Sequence, residues 1–289
     1  MNEQTPIIIP KMAGVCGWPI HHSMSPTLHN YWLKQLGIHG AYTMFAVHPH
    51  GAVRAFKSLK KTSIAGVNVT IPLKGKAFEA ADELSLDAQK LGVCNLLYKR
   101  NNRLIGHNTD MEGFSEPLLR QVGRNFILNN TVLVVGAGGA ARAVLGALLE
   151  IGAPEIRLIN RTDKRAQTLA ENINIPSLYA MPWEKRDDAV YGVGLVINAS
   201  AGGMHGKNAL DIKLSYVQPE GWVYDLIYTP QNTLLLQQAE LLGLNIIGGL
   251  DMLIAQARPS FNLLFEASAP TDNSVKDVII AHLNKATHK

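Results

Sequence analysis

One short segment, residues 131–142, restricts the fold of this chain more than any other, because it reads TVLVVGAGGAAR. An apolar run typical of a buried strand ends in a glycine-rich turn, and a small-residue helical pattern follows directly. Gly136 permits the tight turn, and Gly138 allows the backbone to approach a pyrophosphate at the helix N-terminus. Ala141 stands where a third glycine is usual and still allows close helix–strand packing. The segment predicts a dinucleotide site; a glycine turn that only closes a βα unit is the alternative.

The residues after the next predicted strand indicate which dinucleotide is bound. That strand, residues 155–159, ends at Asn160 and Arg161, with Lys164 and Arg165 close behind. An NAD site usually has an acidic side chain there, and a carboxylate would repel the 2′-phosphate that guanidinium groups bind. A basic first turn of a surface helix is the plain alternative, but cations at a helix N-terminus oppose the helix dipole. The pattern favours NADP over NAD.

Composition limits the class of protein. The chain has 289 residues, 47% of them hydrophobic, which is enough for two modest cores. Its net charge is +4 with no long basic run, so anionic small molecules fit it better than nucleic acid. Cys16 and Cys94 have neither C-x-x-C nor metal-site spacing, so we expect free thiols in a reducing compartment and no metal. Because neither a secretory signal nor a long apolar run is recognised, we expect a cytoplasmic protein without membrane partners. Both a monomer and a homodimer suit a two-domain chain of this size.

The chain divides near residue 110 into two predicted α/β domains. Before this point we expect strands at residues 11–17, 41–46, 64–69 and 93–98, and helices at 25–36, 53–59 and 77–89. After it, a helix from Asp110 leads to strands that begin near residues 131, 155, 194, 221 and 245. The final helices, from about residues 256 and 274, return to the first domain. Alternating strands and helices favour a parallel sheet in residues 110–257 and an α/β domain in residues 1–109, completed by residues 258–289.

Four short segments of the first domain carry small hydrogen-bonding residues at predicted strand ends: residues 22–26, 68–74, 92–95 and 106–110. Ligands of open parallel sheets lie beyond the carboxyl ends of the strands, so these segments would together form a pocket for a hydroxylated, carboxylated ring. Each segment also has a plain structural explanation. Ser25 would be a helix N-cap, Asn68 would bend its strand, and Asp110 would be an acid at an N-cap. The prediction rests on the combination.

Eight motifs follow one another over residues 23–257. They are S-x-S-P from Ser23, N-V-T-x-P-x-K from Asn68, G-x-N-T-D from Gly106, G-A-G-G-A-A from Gly136, N-R-T-x-x-R from Asn160, N-A-S-x-x-G-M from Asn198, D-x-x-Y-x-P from Asp225 and G-L-x-M-L-x-x-Q-A from Gly249. In number and order these motifs resemble those of the shikimate dehydrogenase family. The resemblance implies an N-terminal substrate domain with a mostly parallel sheet, a C-terminal Rossmann-like NADP domain, and a cleft between them. It also implies reversible hydride transfer between NADPH and 3-dehydroshikimate, giving shikimate on the route to chorismate and the aromatic amino acids.

By this resemblance, Lys74 matches the catalytic lysine of the family and Asp110 its paired carboxylate. Reduction of a ketone places negative charge on its oxygen, and a nearby ammonium both stabilises that charge and supplies the proton. A simple salt bridge between Lys74 and Asp110 is the structural alternative.

The resemblance also assigns binding residues. Ser23 and Ser25 would hold the substrate carboxylate, and the other substrate residues would be Asn68, Thr70, Lys74, Asn95, Asp110, Tyr228 and Gln256. The pyrophosphate would lie on Gly136, Ala137, Gly138, Gly139 and Ala140, and the adenosine 2′-phosphate on Asn160, Arg161, Thr162 and Arg165. Leu226 and Gly249 would approach the nicotinamide.

Departures from the family pattern leave alternatives open. Leu96 stands where threonine is usual, and Gly202 adds a glycine to the loop after residue 198. A quinate/shikimate dehydrogenase with relaxed cofactor use is the main alternative, because Asp163 lies close to the position where NAD-using relatives carry an acid. A non-catalytic module that senses NADP or shikimate is an alternative of another class, and the presence of Lys74 and Asp110 argues against it.

Overall fold

A computed structural model describes residues 10–287; residues 1–9 of the predicted first domain and residues 288–289 of the predicted last helix lie outside the described part. The strands are β1 (Lys11–Gly17), β2 (Gly40–Ala46), β3 (Ile64–Val69), β4 (Glu83–Leu84), β5 (Leu96–Arg100), β6 (Arg103–His107), β7 (Val132–Val135), β8 (Ile156–Ile159), β9 (Leu178–Ala180), β10 (Leu195–Asn198), β11 (Trp222–Asp225) and β12 (Asn245–Gly248). The α-helices are α1 (Ser25–Gln35), α2 (Ala52–Ser58), α3 (Lys74–Ala80), α4 (Leu86–Leu91), α5 (Asp110–Gln121), α6 (Arg124–Leu128), α7 (Gly139–Ile151), α8 (Asp163–Ile173), α9 (Arg186–Val190), α10 (Leu234–Leu241), α11 (Gly249–Phe265) and α12 (Ser274–Thr287).

The chain forms two compact units. The first unit runs to Thr109 and resumes at Ala257, and the second unit is Asp110–Gln256. Each unit has its own sheet. The chain is therefore organised around two separate α/β cores.

The first unit is built on a sheet in the order β2-β1-β3-β5-β6-β4. β1 pairs in parallel with β2 and β3, whereas β5 runs antiparallel to both β3 and β6. β5 and β6 form a hairpin in which Asn101 and Asn102 have φ angles of 50° and 60°, as a two-residue turn between twisted strands requires. A buried apolar cluster that includes Phe56, Val67 and Leu73 forms the core. The expectation of a mostly parallel sheet is confirmed, with β5 as its antiparallel strand.

The single helix predicted for residues 77–89 was wrong. α3 ends at Ala80, β4 follows, and a new helix begins at Leu86. The cause is Ser85, whose backbone is extended and whose Oγ accepts from the Ala88 N–H at 3.2 Å. Such a side chain caps a new helix N-terminus and so prevents one continuous helix.

The strand predicted at residues 93–98 is shorter than expected. It begins only at Leu96, because the Cys94 N–H donates to the Lys74 carbonyl at 3.1 Å instead of joining the ladder. β4, β6 and β9 were not predicted, since each is short or carries charged residues.

Helix boundaries also differ from the expectations. Ser25 is the first residue of α1 and Met24 its cap, so the prediction of Ser25 as the N-cap was wrong by one residue. α11 begins at Gly249, before the predicted start near residue 256, while α12 begins at Ser274 as predicted. Within residues 10–287, none of the helices combines the length and apolarity that crossing a membrane requires.

The second unit contains a parallel sheet in the order β12-β11-β10-β7-β8-β9. Counted within the unit, this is the 3-2-1-4-5-6 order of the Rossmann fold, and its strand pairs run parallel. A buried cluster that includes Leu133, Val196 and Val223 forms its core. The strand order reverses between β7 and β10, and dinucleotides bind at this point in such sheets. The Rossmann-like prediction is confirmed.

Candidate active site

The substrate residues predicted in the first unit lie at one edge of its sheet. β1 and β3 are parallel neighbours with Cys16 opposite Val69, so the segments after these strands leave from the same edge. β5 runs antiparallel to β3 with Leu96 opposite Asn68, so the segment before β5 arrives at that edge too. The topology thus brings six predicted residues to this edge: Ser23, Ser25, Asn68, Thr70, Lys74 and Asn95.

Asn68 is held by a buried hydrogen-bond network. The Tyr42 hydroxyl donates to Asn68 Oδ1 at 2.8 Å, and Asn68 Nδ2 donates to Ser260 Oγ at 2.8 Å. Asn68 Nδ2 also lies 3.3 Å from the Asn95 carbonyl oxygen. Tyr42 has a further hydrogen bond with Ser25, and burial raises the pKa of its phenol well above the usual range. The network therefore fixes the amide orientation of Asn68 and links it to two other predicted substrate residues, to Asn95 directly and to Ser25 through Tyr42.

Asn95 is fixed from both ends of its amide by Thr109. Asn95 Nδ2 donates to Thr109 Oγ1 at 2.9 Å, and the Thr109 N–H donates to Asn95 Oδ1 at 2.8 Å. Thr109 Oγ1 in turn lies 3.2 Å from Ser260 Oγ, which joins this pair to the network around Asn68. Sequence patterns gave no role to Tyr42, Thr109 or Ser260, although Thr109 lies in the G-x-N-T-D motif. Their partners are distant in sequence, so spacing carried no signal for them.

Lys74 opens α3, and its side chain is half-buried. The preceding Leu73 is fully buried, and its N–H donates to the Thr70 carbonyl at 2.8 Å, which closes the turn between β3 and α3. Thr70 is packed closely, because a Cβ on Gly17 would lie 2.8 Å from Thr70 Cγ2. This turn fixes the backbone position from which the Lys74 side chain extends. On the other segment, the Ser25 N–H donates to Ser23 Oγ at 3.3 Å, and both serines are buried.

The glycine-rich turn of the second unit has the geometry of a phosphate site. Gly136 has a φ of +117°, and a Cβ there would lie 2.9 Å from the Ala199 carbonyl carbon. Both observations require glycine. Gly138 is the N-cap of α7 and supplies no capping side chain. The first N–H groups of α7, beginning with Gly139 and Ala140, can therefore serve an anion.

The basic segment after β8 is exposed, as a phosphate-binding surface must be. The side chains of Arg161, Thr162 and Arg165 are exposed, and Asn160 Nδ2 donates to the Thr162 carbonyl at 2.9 Å. Asp163, which kept the NAD alternative open, already accepts the Trp183 N–H at 2.8 Å through its Oδ1. One oxygen of that carboxylate is thus engaged within the fold, while the cations face solvent.

Two loops at the carboxyl ends of β10 and β11 meet on Asp225. This carboxylate is fully buried, and burial raises its pKa to about 6 against the opposing effect of its hydrogen bonds. Leu226 follows it, and the Leu226 N–H donates to the Asn198 carbonyl at 3.1 Å. A Cβ on Gly249 would overlap the Leu226 carbonyl, so glycine is required for this close approach. Asp225 begins the D-x-x-Y-x-P motif, but the motif alone indicated no role for it.

The remaining predicted residues also belong to the second unit. Asp110 is the first residue of α5 and is 5% exposed, and Tyr228 is half-buried. Gln256 Nε2 donates to the Leu253 carbonyl at 2.8 Å. α5 approaches Gln256 so closely that a Cβ on Gly113 would overlap it. Lys74 belongs to the first unit and Asp110 to the second, so their pairing stays a prediction.

Neither cysteine is suited to chemistry at neutral pH. Cys16 and Cys94 are free and buried, and burial raises the pKa of each thiol to about 12. Across residues 10–287, His, Cys, Asp and Glu side chains do not gather into a group of three that could hold a metal ion.

Comparison with known proteins identifies the family. A family model described as "Shikimate dehydrogenase substrate binding domain" matches residues 15–97, and one described as "Shikimate / quinate 5-dehydrogenase" matches residues 120–205. A shikimate dehydrogenase (NADP(+)) of Rhodospirillum rubrum is 38% identical over 275 residues, covering 93% of this chain and 97% of that relative. This chain belongs to the shikimate dehydrogenase family. The resemblance found in the motifs is therefore confirmed.

Solved structures of the shikimate dehydrogenase family share the fold. The shikimate 5-dehydrogenase of Thermus thermophilus, in complex with NADP(H) and shikimate, superposes with a TM-score of 0.80 at 33% identity. The match covers 96% of this chain and 99% of that one. The quinate dehydrogenase of Corynebacterium glutamicum, in complex with NAD, gives a TM-score of 0.82 at 25% identity over 95% of this chain and 99% of its own.

Proposed function

We propose that this member of the shikimate dehydrogenase family reduces 3-dehydroshikimate to shikimate with NADPH, and that Lys74 and Asp110 are its catalytic pair. The observation that carries the proposal is the match over 93% of the chain to a relative named for NADP-linked shikimate dehydrogenation. The exposed cations after β8 support the choice of cofactor. The polar sheet edge of the first unit supports the choice of substrate.

The first unit is the proposed substrate domain, with the ring bound along that sheet edge. Ser23 and Ser25 would donate to the carboxylate, because hydroxyls satisfy an anion without adding a fixed charge. The ring hydroxyls would meet Asn68, Thr70 and Asn95, with Asp110, Tyr228 and Gln256 supplied by the second unit. Asn68 and Asn95 are preorganised by buried partners, so little amide reorientation would be needed on binding.

Lys74 would act at the ketone oxygen. As hydride reaches the carbonyl carbon, the carbon–oxygen π electrons move to oxygen, and the Lys74 ammonium donates the proton that completes the alcohol. In the reverse direction the neutral amine accepts that proton. Asp110 would orient the lysine and hydrogen-bond a ring hydroxyl. The positive charge of the lysine would thus stabilise the negative charge that develops on the ketone oxygen in the transition state.

The second unit is the proposed cofactor domain. NADPH, when bound, supplies the hydride. The pyrophosphate would take the N–H groups at the glycine-rich turn (Gly136, Ala137, Gly138, Gly139 and Ala140), and the 2′-phosphate would take Asn160, Arg161, Thr162 and Arg165. Leu226 and Gly249 would border the nicotinamide. We also propose a cytoplasmic monomer or homodimer, in keeping with two free cysteines.

The test is steady-state turnover of shikimate and quinate, each with NADP⁺ and NAD⁺, on the native chain and on Lys74→Ala. We expect turnover with shikimate and NADP⁺, and a fall in kcat of about 10²- to 10⁴-fold in the variant, as for loss of a general acid–base group. The matched control is Lys76→Ala on the same helix, whose side chain is exposed and pairs with Glu79 at 3.0 Å. It should leave kcat unchanged.

Other outcomes would redirect the proposal. Comparable turnover with quinate or NAD⁺ would favour the relaxed quinate/shikimate alternative. NADP binding without turnover of any pair would favour a sensing module. Full activity in Lys74→Ala would contradict the catalytic assignment while leaving the reaction itself in place.

A further inference from the structure

Asp225 is a buried charge that the proposed chemistry does not use. Asp225 is the last residue of β11, so it lies at the carboxyl ends of the strands, where Rossmann sheets bind their ligands. Its exposed fraction is 0%. An isolated carboxylate in such a place is strongly disfavoured, so it persists only where hydrogen bonds offset its desolvation.

Three donors from three different parts of the second unit meet the Asp225 carboxylate. Oδ1 accepts from Asn198 Nδ2 at 3.0 Å and from the Ile227 N–H at 3.1 Å. Oδ2 accepts from Thr233 Oγ1 at 2.6 Å. Asn198 begins the loop after β10, Ile227 lies in the loop after β11, and Thr233 ends that second loop as the N-cap of α10. One side chain therefore joins two loops and a helix start.

The first of these loops, residues 198–204, depends on Asn198. Besides its bond to Asp225, Asn198 Nδ2 donates to the Gly202 carbonyl at 3.0 Å. Asn198 Oδ1 accepts from Ser200 Oγ at 2.7 Å and from the Ser200 N–H at 3.1 Å. The orientation of the Asn198 amide thus sets the path of this loop. Asp225 selects that orientation, because a carboxylate accepts only and must face the amide nitrogen.

The second loop, residues 226–232, is held in the same way. The Ile227 N–H is anchored on Asp225, and the neighbouring Leu226 N–H is anchored on the Asn198 carbonyl. Further along the loop, the Thr229 carbonyl accepts the N–H of His205, the residue directly after loop 198–204, at 3.2 Å. Gly249 approaches the Leu226 carbonyl so closely that a Cβ at residue 249 would overlap it.

We propose that Asp225 is a positioning residue that fixes loop 198–204 against loop 226–232 and so shapes the nicotinamide end of the cofactor site. The inference rests on the proposed function, because that function assigns the nicotinamide to Leu226 and Gly249. A helix cap alone would not need the carboxylate: Thr233 Oγ1 already accepts the Leu236 N–H at 3.3 Å. The charged acceptor is needed only to join the loops.

The test separates the two ends of the cofactor. Adenosine 2′,5′-bisphosphate carries the adenine and 2′-phosphate but no nicotinamide, whereas NADPH carries all three. For Asp225→Asn we expect an unchanged Kd for the bisphosphate by calorimetry. We expect the Kd for NADPH to rise by about tenfold or more, the scale of a hydrogen bond to a charged group.

A second pair of variants guards against simple misfolding. Thr233→Val removes the hydroxyl that serves Asp225, and Thr233→Ser should recover what Thr233→Val loses. Ser85→Ala is the matched control, because Ser85 caps α4 in the same way without a buried carboxylate behind it. It should lose stability without changing either Kd.

Two results would overturn the inference: equal weakening of both ligands in Asp225→Asn, or no change in either. The inference can be judged even if the reaction is misassigned. If the native chain turned over neither shikimate nor quinate, the proposed function would fail, while the two Kd values would still report whether Asp225 shapes the nicotinamide end.

Discussion

Two buried ionisable side chains that play no part in the proposed chemistry, His29 in the first unit and Asp225 in the second, are opposite in kind. In the first unit, His29 is 1% exposed and lies among aromatic rings, stacked on Tyr42 at 4.1 Å between ring centroids. Phe261 stacks at 5.8 Å, and Trp32 meets the imidazole edge-on at 5.9 Å. In the second unit, Asp225 lies among hydrogen-bond donors. The rings around His29 carry no charge that could pair with an imidazolium, whereas the groups around Asp225 donate hydrogen bonds to its carboxylate.

Burial shifts both groups toward their neutral forms, which means opposite directions of pKa. Burial lowers the pKa of His29 from 6.5 to about 3. Burial raises the pKa of Asp225 from 3.8 to about 6, although its hydrogen bonds oppose the rise. At neutral pH the first unit therefore holds an uncharged imidazole, while the second holds a desolvated carboxylate.

The two units should consequently respond to acid in opposite directions. In the unfolded state His29 binds a proton below about pH 6.5, but in the folded state it does so only below about pH 3. Lowering the pH from 6.5 to 3 therefore decreases the free energy of unfolding. In the folded state Asp225 binds a proton below about pH 6, but in the unfolded state it does so only below about pH 3.8. Lowering the pH from 6 to 3.8 therefore increases the free energy of unfolding. The comparison shows that the sign depends on the group and not on burial itself.

The largest effect should come from His29→Phe. Between pH 6 and pH 4 we expect the free energy of unfolding of the first unit to fall by about 2 to 3 kcal/mol more in the native chain than in the variant, because only the native chain must exclude a proton. A phenyl ring suits the site, since the imidazole is already stacked on Tyr42 and Phe261. Hydrogen exchange of first-unit peptides at a series of pH values measures the difference.

The matched control for this prediction is His282→Phe, at an exposed position on α12 in the same unit. It should leave the acid response of the native chain in place. Parallel curves of the free energy of unfolding against pH for the native chain and His29→Phe would show that His29 binds a proton in the folded state as readily as in the unfolded state. The contrast between His29 and Asp225 would then be wrong for His29.

A slightly smaller effect of opposite sign should come from Asp225→Asn. As the pH rises from 4 to 6, we expect the native second unit to lose about 2 kcal/mol relative to the variant, because only the native chain must ionise a buried carboxyl. The absolute stability of the variant is not the test, since its amide places a donor where Thr233 or Ile227 now donates. Exchange in peptides from β10, β11 and α10 gives the pH slope.

A flat difference between Asp225→Asn and the native chain would contradict this sign. It would mean that the three hydrogen bonds offset the desolvation completely, so that the carboxyl keeps its ordinary pKa in the folded state. The positioning role would survive such a result, because it depends on the geometry of the donors and not on the titration.

The parts of the candidate site that lie in short motifs could be predicted from the sequence. The strand–turn–helix around Gly136 was predicted because its apolar run and its glycines are contiguous. The edge that carries Ser23, Asn68 and Asn95 was anticipated because each residue lies at a predicted strand end. Contiguous signals of this kind are set by local backbone geometry, which a sequence records directly.

What holds those residues in place could not be predicted. The hydrogen bond between Tyr42 and Asn68 spans 26 residues, and that between Asn68 and Ser260 spans 192. Tyrosine and serine occur everywhere on protein surfaces, so neither type nor spacing marks these two as partners. Asp225 and Asn198 each begin a motif, but nothing in either motif marks them as buried partners 27 residues apart. His29 was only one histidine among ten.

The smallest effect should come from Ser260→Ala, and it sharpens the comparison because it should not depend on pH. The Asn68 amide would lose one acceptor but keep its approach to the Asn95 carbonyl at 3.3 Å, so we expect a loss of about 1 kcal/mol in stability. Because Asn68 contacts substrate in the proposed function, the KM for shikimate should rise a few-fold (the same ~1 kcal/mol) while the KM for NADP⁺ stays constant.

Serine, threonine and asparagine do not titrate, and burial holds the Tyr42 phenol neutral, so the Ser260→Ala loss should be equal at pH 5 and pH 8. The control is Ser58→Ala, an exposed hydroxyl of the first unit that donates only to the Ala55 carbonyl at 2.7 Å. It should change neither KM. A loss of stability that grew as the pH fell would indicate that the hydrogen-bond network is coupled to the protonation of His29 through Tyr42. The two features of the first unit would then not be independent.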